Sequence, residues 1–398
     1  ILNPLQPGCE FPFKHLAGVG VAFYLAMGVR SALLRQGYWP AGEAAPNLKR
    51  LLDLVAIGTI GDMVPLVGVN RILSIAGLEE LNDHPRPGLR QLLRMADALE
   101  RRVTAEDIGY RIGPRLNAPG RLGEADLALE LLVTDDGERA AALAGEVDAI
   151  NRRRQELVEE VHRQATAAAN DATAGGRRTL VLHGEHWHGG VLGIVASKMV
   201  DVFARPVIML RSEGAGLVKG SGRSVEGLDL HQALTRCSDL LEQYGGHPSA
   251  AGLTLRAENL DAFRERLEAI VAEQLDEEAM RPVLWIDGEL GSPDLGDHAF
   301  FDGFQRLAPF GVGNPEPVFV SAAAVRLEQP RVVGNNHLQF SWRVNGTSWH
   351  GIAFGCGHHL HAVQEQPTRL VFMVRRNSFR GREQWQLQAV DFDQSPTS

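Results

Sequence analysis

The chain has 398 residues, 44% of them hydrophobic and 22% charged, with a formal net charge of −9. That length exceeds one ordinary core, so two or three domains are expected, and the composition is that of a soluble globular protein. The negative balance argues against indiscriminate coating of nucleic acid while leaving a local basic groove open.

Cys9, Cys237 and Cys356 are far apart and without paired spacing, which excludes a zinc knuckle or a disulfide framework and fits reduced thiols in a cytoplasmic protein. No apolar run reaches the roughly 18 residues that span a bilayer, so no membrane is expected. The opening Ile1-Leu2-Asn3-Pro4 has neither an initiator Met nor a basic segment, which leads to the expectation of a fragment without a signal peptide.

In chain order, apolar spacing predicts a helix over 15–36, too apolar all round to face water, and a second over 48–57. Asp62 follows between apolar neighbours, and a carboxylate there needs a partner: a helix N-cap is one candidate, a divalent metal the other. Further helices are expected at 71–81, 88–95, 105–108 and 124–133. Between the last two, Arg111, Arg115 and Arg121 lie on a loop stiffened by prolines, suited either to phosphate contacts or to pairing with nearby acids. The stretch 136–169 reads as one long helix with Val147, Ile150, Leu157, Val161 and Ala165 on its apolar stripe, and Arg152, Arg153 and Arg154 read as solvated.

An α/β region follows: strands 179–183, 206–210, 215–220 and 250–255, and helices 191–203, 228–242 and 257–274. Trp187 and His188 sit in the loop before its first helix. Gly220-Ser221-Gly222-Arg223-Ser224 and Gly245-Gly246-His247-Pro248 are placed at the two ends of the 228–242 helix. Glycines would let backbone N–H groups approach a ligand, Arg223 offers a planar fork, and serine hydroxyls add donors, which describes an anion site. The plainer alternative is strand-end turns and a packed His247.

Beyond Asp287-Gly288-Glu289-Leu290 and the loop Pro309–Pro317, strands are expected at 318–327, 331–334, 337–345, 347–354, 369–376 and 384–392, forming a small barrel. Arg369, Arg375, Arg376, Arg380 and Arg382 interleave with Phe372, Phe379 and Trp385. That pattern suits either base stacking with phosphate neutralisation or a charged protective edge.

Ser221-Gly222-Arg223-Ser224 with Gly245-Gly246-His247 and Ala250-Ala251-Gly252 resembles the DHHA1 domain of the DHH phosphoesterases. Trp187 to Ala196, Gly113 to Arg121 and Gly58 to Leu66, in their order, narrow the resemblance to the RecJ family of single-stranded-DNA exonucleases. It implies an α/β multidomain chain: the remainder of a DHH domain over 1–135, a connector helix over 136–172, a DHHA1 domain with a mixed sheet over 173–278, and an OB-like barrel over 279–398. It also implies 5′-to-3′ hydrolysis of single-stranded DNA by two Mn2+ or Mg2+ ions, in repair and recombination.

By the same resemblance Asp62 becomes a metal ligand and, with His247, a catalytic residue. Arg115, Asn117, Arg121, Ser221, Gly222, Ser224, Gly245 and Gly246 join Arg223 as 5′-phosphate or DNA contacts, as do Arg375 and Arg380 in the barrel. The Asp-His-His motif that names the family is missing, so an incomplete metal site is expected. Implied partners are a DNA 5′ end, a single-strand-binding protein and a RecQ-type helicase, acting on a monomer. Two alternatives stay open: a phosphodiesterase of short oligonucleotides or cyclic dinucleotides, and a non-catalytic single-strand-binding scaffold.

Overall fold

The structure is a computed structural model that describes residues 1–393 apart from 41, 277, 279, 345–346 and 380–381. Its helices run α1 (Gly18–Arg35), α2 (Leu52–Gly61), α3 (Gly68–Asp83), α4 (Pro87–Met95), α5 (Ala105–Asp107), α6 (Gly113–Leu122), α7 (Ala125–Val133) and α8 (Gly137–Ala174). Then follow β1 (Leu180–Gly184), α9 (Gly189–Phe203), β2 (Val207–Gly214), β3 (Leu217–Arg223), α10 (Leu230–Thr235), β4 (Leu241–His247), β5 (Ala250–Arg256) and α11 (Leu260–Gln274). The last part holds β6 (Gly288–Leu290), α12 (Ser292–Leu295), α13 (His298–Gln305), β7 (Phe319–Ser321), β8 (Glu328–Val333), β9 (His337–Val344), β10 (Thr347–Ala353), α14 (Leu360–Glu365), β11 (Arg369–Phe379) and β12 (Arg382–Asp393). By packing, residues 1–86, 92–113 and 284–398 form one compact unit, and 87–91 with 114–283 form the other.

In the first unit, α1 lays Val19, Phe23 and Met27 against Leu52 and Val55 of α2 and Leu73 and Ala76 of α3. Helices α2 and α3 touch backbone to backbone at Gly77, where a Cβ would stand 2.1 Å from the Leu52 carbonyl oxygen. Only Gly20 and Phe23 of α1 are buried, while Leu25, Val29 and Leu34 are exposed, so the expectation of burial on all sides is corrected. The expectation that no apolar run approaches membrane length is corrected too. Among the described residues α1 is the one helix long and apolar enough to cross a membrane, by length and composition alone.

The C-terminal strands of this unit form a seven-stranded sheet in the order β6-β7-β11-β12-β10-β9-β8, and a bridge between Val325 and Thr368 curls the β8 edge back toward β11. The alternate inward residues Leu338, Phe340, Trp342 and Val344 of β9 meet Leu370, Phe372 and Val374 of β11 in its core, as period-2 patterning requires. The expected basic-aromatic surface is largely used up inside the fold. Phe372 is fully buried, Trp385 packs on Phe301 at 4.8 Å between ring centroids, and Arg369 pairs with Glu289. Arg375, expected as a DNA contact, is held in an ion-pair cluster by Glu316 at 2.6 Å and Glu106 at 3.1 Å. Burial pushes the Glu316 carboxyl above its ordinary value in spite of that guanidinium. Arg380 lies outside the described residues.

Within this unit the 58–66 and 309–317 stretches pack on each other: the Leu66 N–H donates to the Val312 carbonyl at 2.7 Å, and a Cβ on Gly311 would meet Leu66 at 2.7 Å. Arg71 clamps the join, its guanidinium donating to the carbonyls of Leu307 at 2.7 Å, Arg306 at 2.8 Å and Ala308 at 2.9 Å. Hydrogen bonds to a charged group are worth more than neutral ones, although the Leu307 carbonyl also accepts from Asn314 Nδ2 at 2.9 Å. Arg71→Ala is therefore expected to destabilise this unit by about 3 kcal/mol in denaturant unfolding, and a loss under about 0.5 kcal/mol would remove the clamp from the account.

The second unit is a five-stranded sheet, β1-β2-β3-β5-β4, parallel between β1 and β2 and antiparallel elsewhere. Helices α8 and α9 cover one face through Leu180, Leu182, Val207 and Met209, and α10 and α11 cover the other through Ile208, Leu210, Val218, Leu253 and Leu255. Two expectations fail here. The 228–242 helix ends at Thr235: Asp229 caps α10 by accepting from the Gln232 N–H, and after a 3-10 turn at Ser238–Leu240 the chain becomes strand β4. The Arg111–Arg121 loop is helical, a π turn over Ile108–Ile112 running into α6, which contains Pro119. Pro114 sits in the first turn of α6, where its missing N–H costs nothing, and Gly113 leaves room for the widened turn, since a Cβ there would stand 2.8 Å from the Ile108 oxygen.

Candidate functional site

Both glycine motifs lie on strands of the second unit, not at helix ends, because Ser221 to Arg223 and Gly245 to His247 are hydrogen-bonded on either side of β5. The register aligns Ser221, Gly252 and Gly245 in one row and, two rows on and so on the same face, Arg223, Ala250 and His247. Directly opposed residues of antiparallel strands share a face, so Arg223 and His247 point the same way across two strand spacings, roughly 10 Å. His247 is exposed.

The other predicted members of the motifs have internal duties. A Cβ on Gly222 would meet Ile208 at 2.5 Å and Leu230 at 2.8 Å, so this glycine faces the core. The Ser224 hydroxyl donates to the Leu228 carbonyl at 2.8 Å and closes the turn into α10. Gly246 adopts φ +147 with the Ala250 oxygen 2.3 Å from a would-be Cβ, a position only glycine fills. A Cβ on Gly245 would meet nothing within 4 Å, on the open face beside Gly252.

Helix α9 brings its glycine-rich first turn to the same place. A Cβ on Gly193 would stand 2.7 Å from Arg223 Nη2, and one on Gly190 would stand 2.2 Å from the Arg121 carbonyl oxygen. His188 caps the helix through Nδ1, which accepts from the Gly190 N–H at 3.1 Å, so its proton resides on Nε2. A helix N-terminus carries partial positive charge, and here it lies among arginines.

Those arginines come from three elements. Arg115 and Arg121 are on α6, Arg223 ends β3, and Arg154 projects from α8. Arg115 is paired with Asp148 at 2.9 Å, and Asp148 also holds Arg152 at 2.8 Å. Among the described residues Arg121, Arg154 and Arg223 have no carboxylate partner. Arg223 donates only to the neighbouring Gly222 carbonyl, at 2.8 Å. The Arg154 Nε is buried with no acceptor. Burial, then repulsion by Arg121 and Arg115, holds the Arg154 pKa below the ordinary arginine value, and burial, then Arg121, does the same to Arg223. Arg154 and Arg223 are half-buried guanidiniums, each repelled by the exposed Arg121 and without a carboxylate among the described residues, which favours an anion beside them. Asn117, on the same helix, is exposed.

The sequence places Arg154 on a solvated face, and the structure corrects this. The inner stripe of α8 runs Val147, Asn151, Arg154, Val158, Val161, Ala165, at alternating steps of four and three. An arginine in a slot that the stripe reserves for apolar side chains is the legible signal. Asn151 occupies the slot before it, 1% exposed, with its own Oδ1 unpartnered.

Asp62 belongs to the first unit, where it is the C-cap of α2, its N–H donating to the Gly58 carbonyl at 3.0 Å. It is exposed, and so is neither an N-cap nor a buried carboxylate. Met63 beside it adopts φ 57, a left-handed conformation that costs a non-glycine residue about 1 kcal/mol and fixes the direction of the Asp62 segment. Among the described residues no three His, Cys, Asp or Glu side chains converge in a way that could hold a metal ion. One exposed carboxylate by itself is too few ligands for a two-metal centre.

Residues 176–273 match the family model of the DHHA1 domain, and residues 286–391 match that of the RecJ OB domain. The single-stranded-DNA-specific exonuclease RecJ of Dickeya dadantii is 40% identical over 405 residues, covering 97% of this chain and 69% of that protein. The chain belongs to the RecJ family. The RecJ of Bacillus subtilis is also 40% identical, over 90% of this chain and 44% of its own length. The crystal structure of Thermus thermophilus RecJ in complex with Mg2+ superimposes with a TM-score of 0.80 at 33% identity, over 98% of this chain and 57% of that one. A second RecJ structure from that organism, with Mn2+, gives the same TM-score. This chain therefore spans between about half and two thirds of the RecJ proteins it matches.

Proposed function

We propose that this chain carries the end-gripping and strand-threading parts of a metal-dependent, single-stranded-DNA-specific 5′-to-3′ exonuclease, with the terminal phosphate seated among Arg121, Arg154 and Arg223. The observation that carries the reading is the convergence of three guanidiniums without a carboxylate partner, beside Ser221 and the first turn of α9. Such a cluster suits a phosphate because planar guanidiniums donate pairwise to its oxygens, and the partial burial of Arg154 and Arg223 strengthens their bonds, while Arg121 is exposed. Arg115 and Asn117 line the same helix for backbone contacts. His247, in register with Arg223, is the group of this unit placed to approach the reacting phosphodiester, and Asp62 supplies one ligand toward Mn2+ or Mg2+. The remaining ligands of a two-metal hydrolytic centre are not assembled among the described residues. The protein then acts as a cytoplasmic monomer in DNA repair and recombination, beside a single-strand-binding protein and a RecQ-type helicase.

The seven-stranded barrel that follows the α/β unit favours a strand-threading enzyme over a phosphodiesterase of small cyclic substrates, which needs no such appendage. Binding of 5′-phosphorylated and 5′-hydroxyl oligothymidylate by fluorescence anisotropy tests the reading. Arg223→Ala is expected to weaken the phosphorylated strand by about tenfold to a hundredfold, the worth of one lost charge-assisted contact, and to leave the hydroxyl strand nearly unchanged. Equal weakening of both strands would place Arg223 on the general backbone track instead.

A further inference from the structure

We propose that the barrel of the first unit grips single-stranded DNA on the outer face of β8, β9 and β10, where Phe354 stacks an unpaired base and Arg331 holds a backbone phosphate. This rests on reading the chain as a binder of single strands, and it uses none of the arginines of the second unit. The residues of β11 and β12 with the composition of a DNA surface are engaged elsewhere: Arg369 and Arg375 in ion pairs, Arg376 over the Trp385 ring at 5.6 Å.

Phe354 follows Ala353, the last inward residue of β10, so the pleat turns it outward, and it is 54% exposed. The ring is braced. It meets His337 edge to face at 5.2 Å between centroids, an arrangement that leaves Phe354 at least one face uncovered by its partner. The two loops that carry the pair are laced together. The Gly355 N–H donates to His337 Nδ1 at 3.1 Å, Asn336 Nδ2 donates to the Gly355 carbonyl at 3.2 Å, and the Gly357 N–H donates to the Asn336 carbonyl at 3.0 Å. A Cβ on Gly357 would stand 2.3 Å from Asn336 Oδ1, so this closeness requires glycine. A flat ring held in one place loses little freedom when a base stacks on it.

Two positions along each strand, on the same face, Ile352 and Gln339 are paired, with Arg331 opposite Gln339 and Gln388 beside Ile352. Arg331 is exposed, and its Nε and Nη2 both donate to Gln339 Oε1, at 3.0 Å and 2.8 Å. Among the described residues no carboxylate pairs with it, and Glu328 of the same strand is taken by Arg343 at 2.9 Å. A neutral amide therefore aims the guanidinium without cancelling its charge. A fixed ring, a free cation and uncharged amides on one strip of sheet are what a single strand needs, since every base has a face to stack and every nucleotide brings a phosphate.

The test uses this chain and oligothymidylate of about 25 nucleotides, long enough to cover a barrel, with a 5′-phosphate or a 5′-hydroxyl, and the same strand with abasic spacers. Phe354→Leu, Phe354→Tyr and Arg331→Gln variants are compared by fluorescence anisotropy after melting curves verify folding. Phe354→Leu is expected to weaken both thymidylate strands about tenfold, to keep their ratio, and to change nothing for the abasic strand, while Phe354→Tyr restores binding. Arg331→Gln is expected to flatten the dependence of log affinity on log salt by about 0.7, which Phe354→Leu leaves alone. Full affinity in Phe354→Leu, or an equal loss for the abasic strand, would overturn the stacking site, and an unchanged salt slope in Arg331→Gln would remove the phosphate contact. If the two 5′ ends bind alike while Phe354→Leu still loses tenfold, the arginine seat fails and the barrel face stands. A chain that binds none of the strands would overturn both.

Discussion

Replacing Arg154 with methionine is expected to raise the melting temperature of the protein while weakening its grip on 5′-phosphorylated single-stranded DNA. The two effects have one origin. In the free protein the Arg154 Nε is buried without an acceptor, and Arg121 and Arg115 disfavour its charge. Methionine is similar in length, fits the apolar stripe between Val147 and Val158, and leaves no donor unmet. Removing a buried unsatisfied donor recovers about 1–3 kcal/mol, from which the packing lost with the arginine stem must be subtracted. A net gain of about 1 kcal/mol corresponds to roughly 2–4 °C for a unit of this size. Differential scanning calorimetry with and without a 5′-phosphorylated oligonucleotide measures both halves. A melting temperature that falls in the variant would mean that Arg154 has a partner in solution, and the case for a waiting anion would lose its main support.

Gly190→Ala is expected to be strongly damaging to the second unit and to its arginine cluster at once. Its Cβ would stand 2.2 Å from the Arg121 carbonyl oxygen and 3.2 Å from the carbonyl carbon, and backbone atoms cannot swing aside as a side chain does. The start of α9 must then lift away from the end of α6. Overpacking of this kind costs about 1–3 kcal/mol. The same displacement separates Arg121 from Arg223, so the preference for a 5′-phosphate is expected to fall about as far as it does in Arg223→Ala. Gly145→Ala, on α8, is the matching control: nothing lies within 4 Å of its Cβ, and helix propensity predicts a gain of up to about 1 kcal/mol. A Gly190→Ala variant with normal stability and normal end preference would show that the two helices are not rigidly apposed.

Arg152, Arg153 and Arg154 show where sequence reading stops. Consecutive helical residues are about 100° apart, so three arginines in a row cannot share one face, and at most one of them points inward. Which one does so depends on neighbours far away in sequence or on the next turn. Arg152 is taken by Asp148, Arg153 by Glu156, and Arg154 lies near Arg121 and Arg115 of α6. The 228–242 stretch departs from its expected helix for a related reason. Leu240 and Leu241 continue a helical apolar spacing as well as they begin a strand, and it is the pairing of Gly245–His247 with Ala250–Gly252 that decides for the strand. In the barrel, Arg375 and Trp385 have the composition of a DNA surface, yet Glu316, Glu106 and Phe301 claim them first.

What the residues dictate without long-range information is local and ordinal: the long α8 helix, most strands of both sheets though not β4 or β6, and an order of motifs specific enough to identify the RecJ family. Those follow from periodicity and from residue types whose backbone demands are met within a few positions, as at Gly246. Only the tertiary structure decided which charges are left without a partner. Pairing is a property of space, not of spacing, and the same arginine is inert when a carboxylate reaches it and a ligand site when none does.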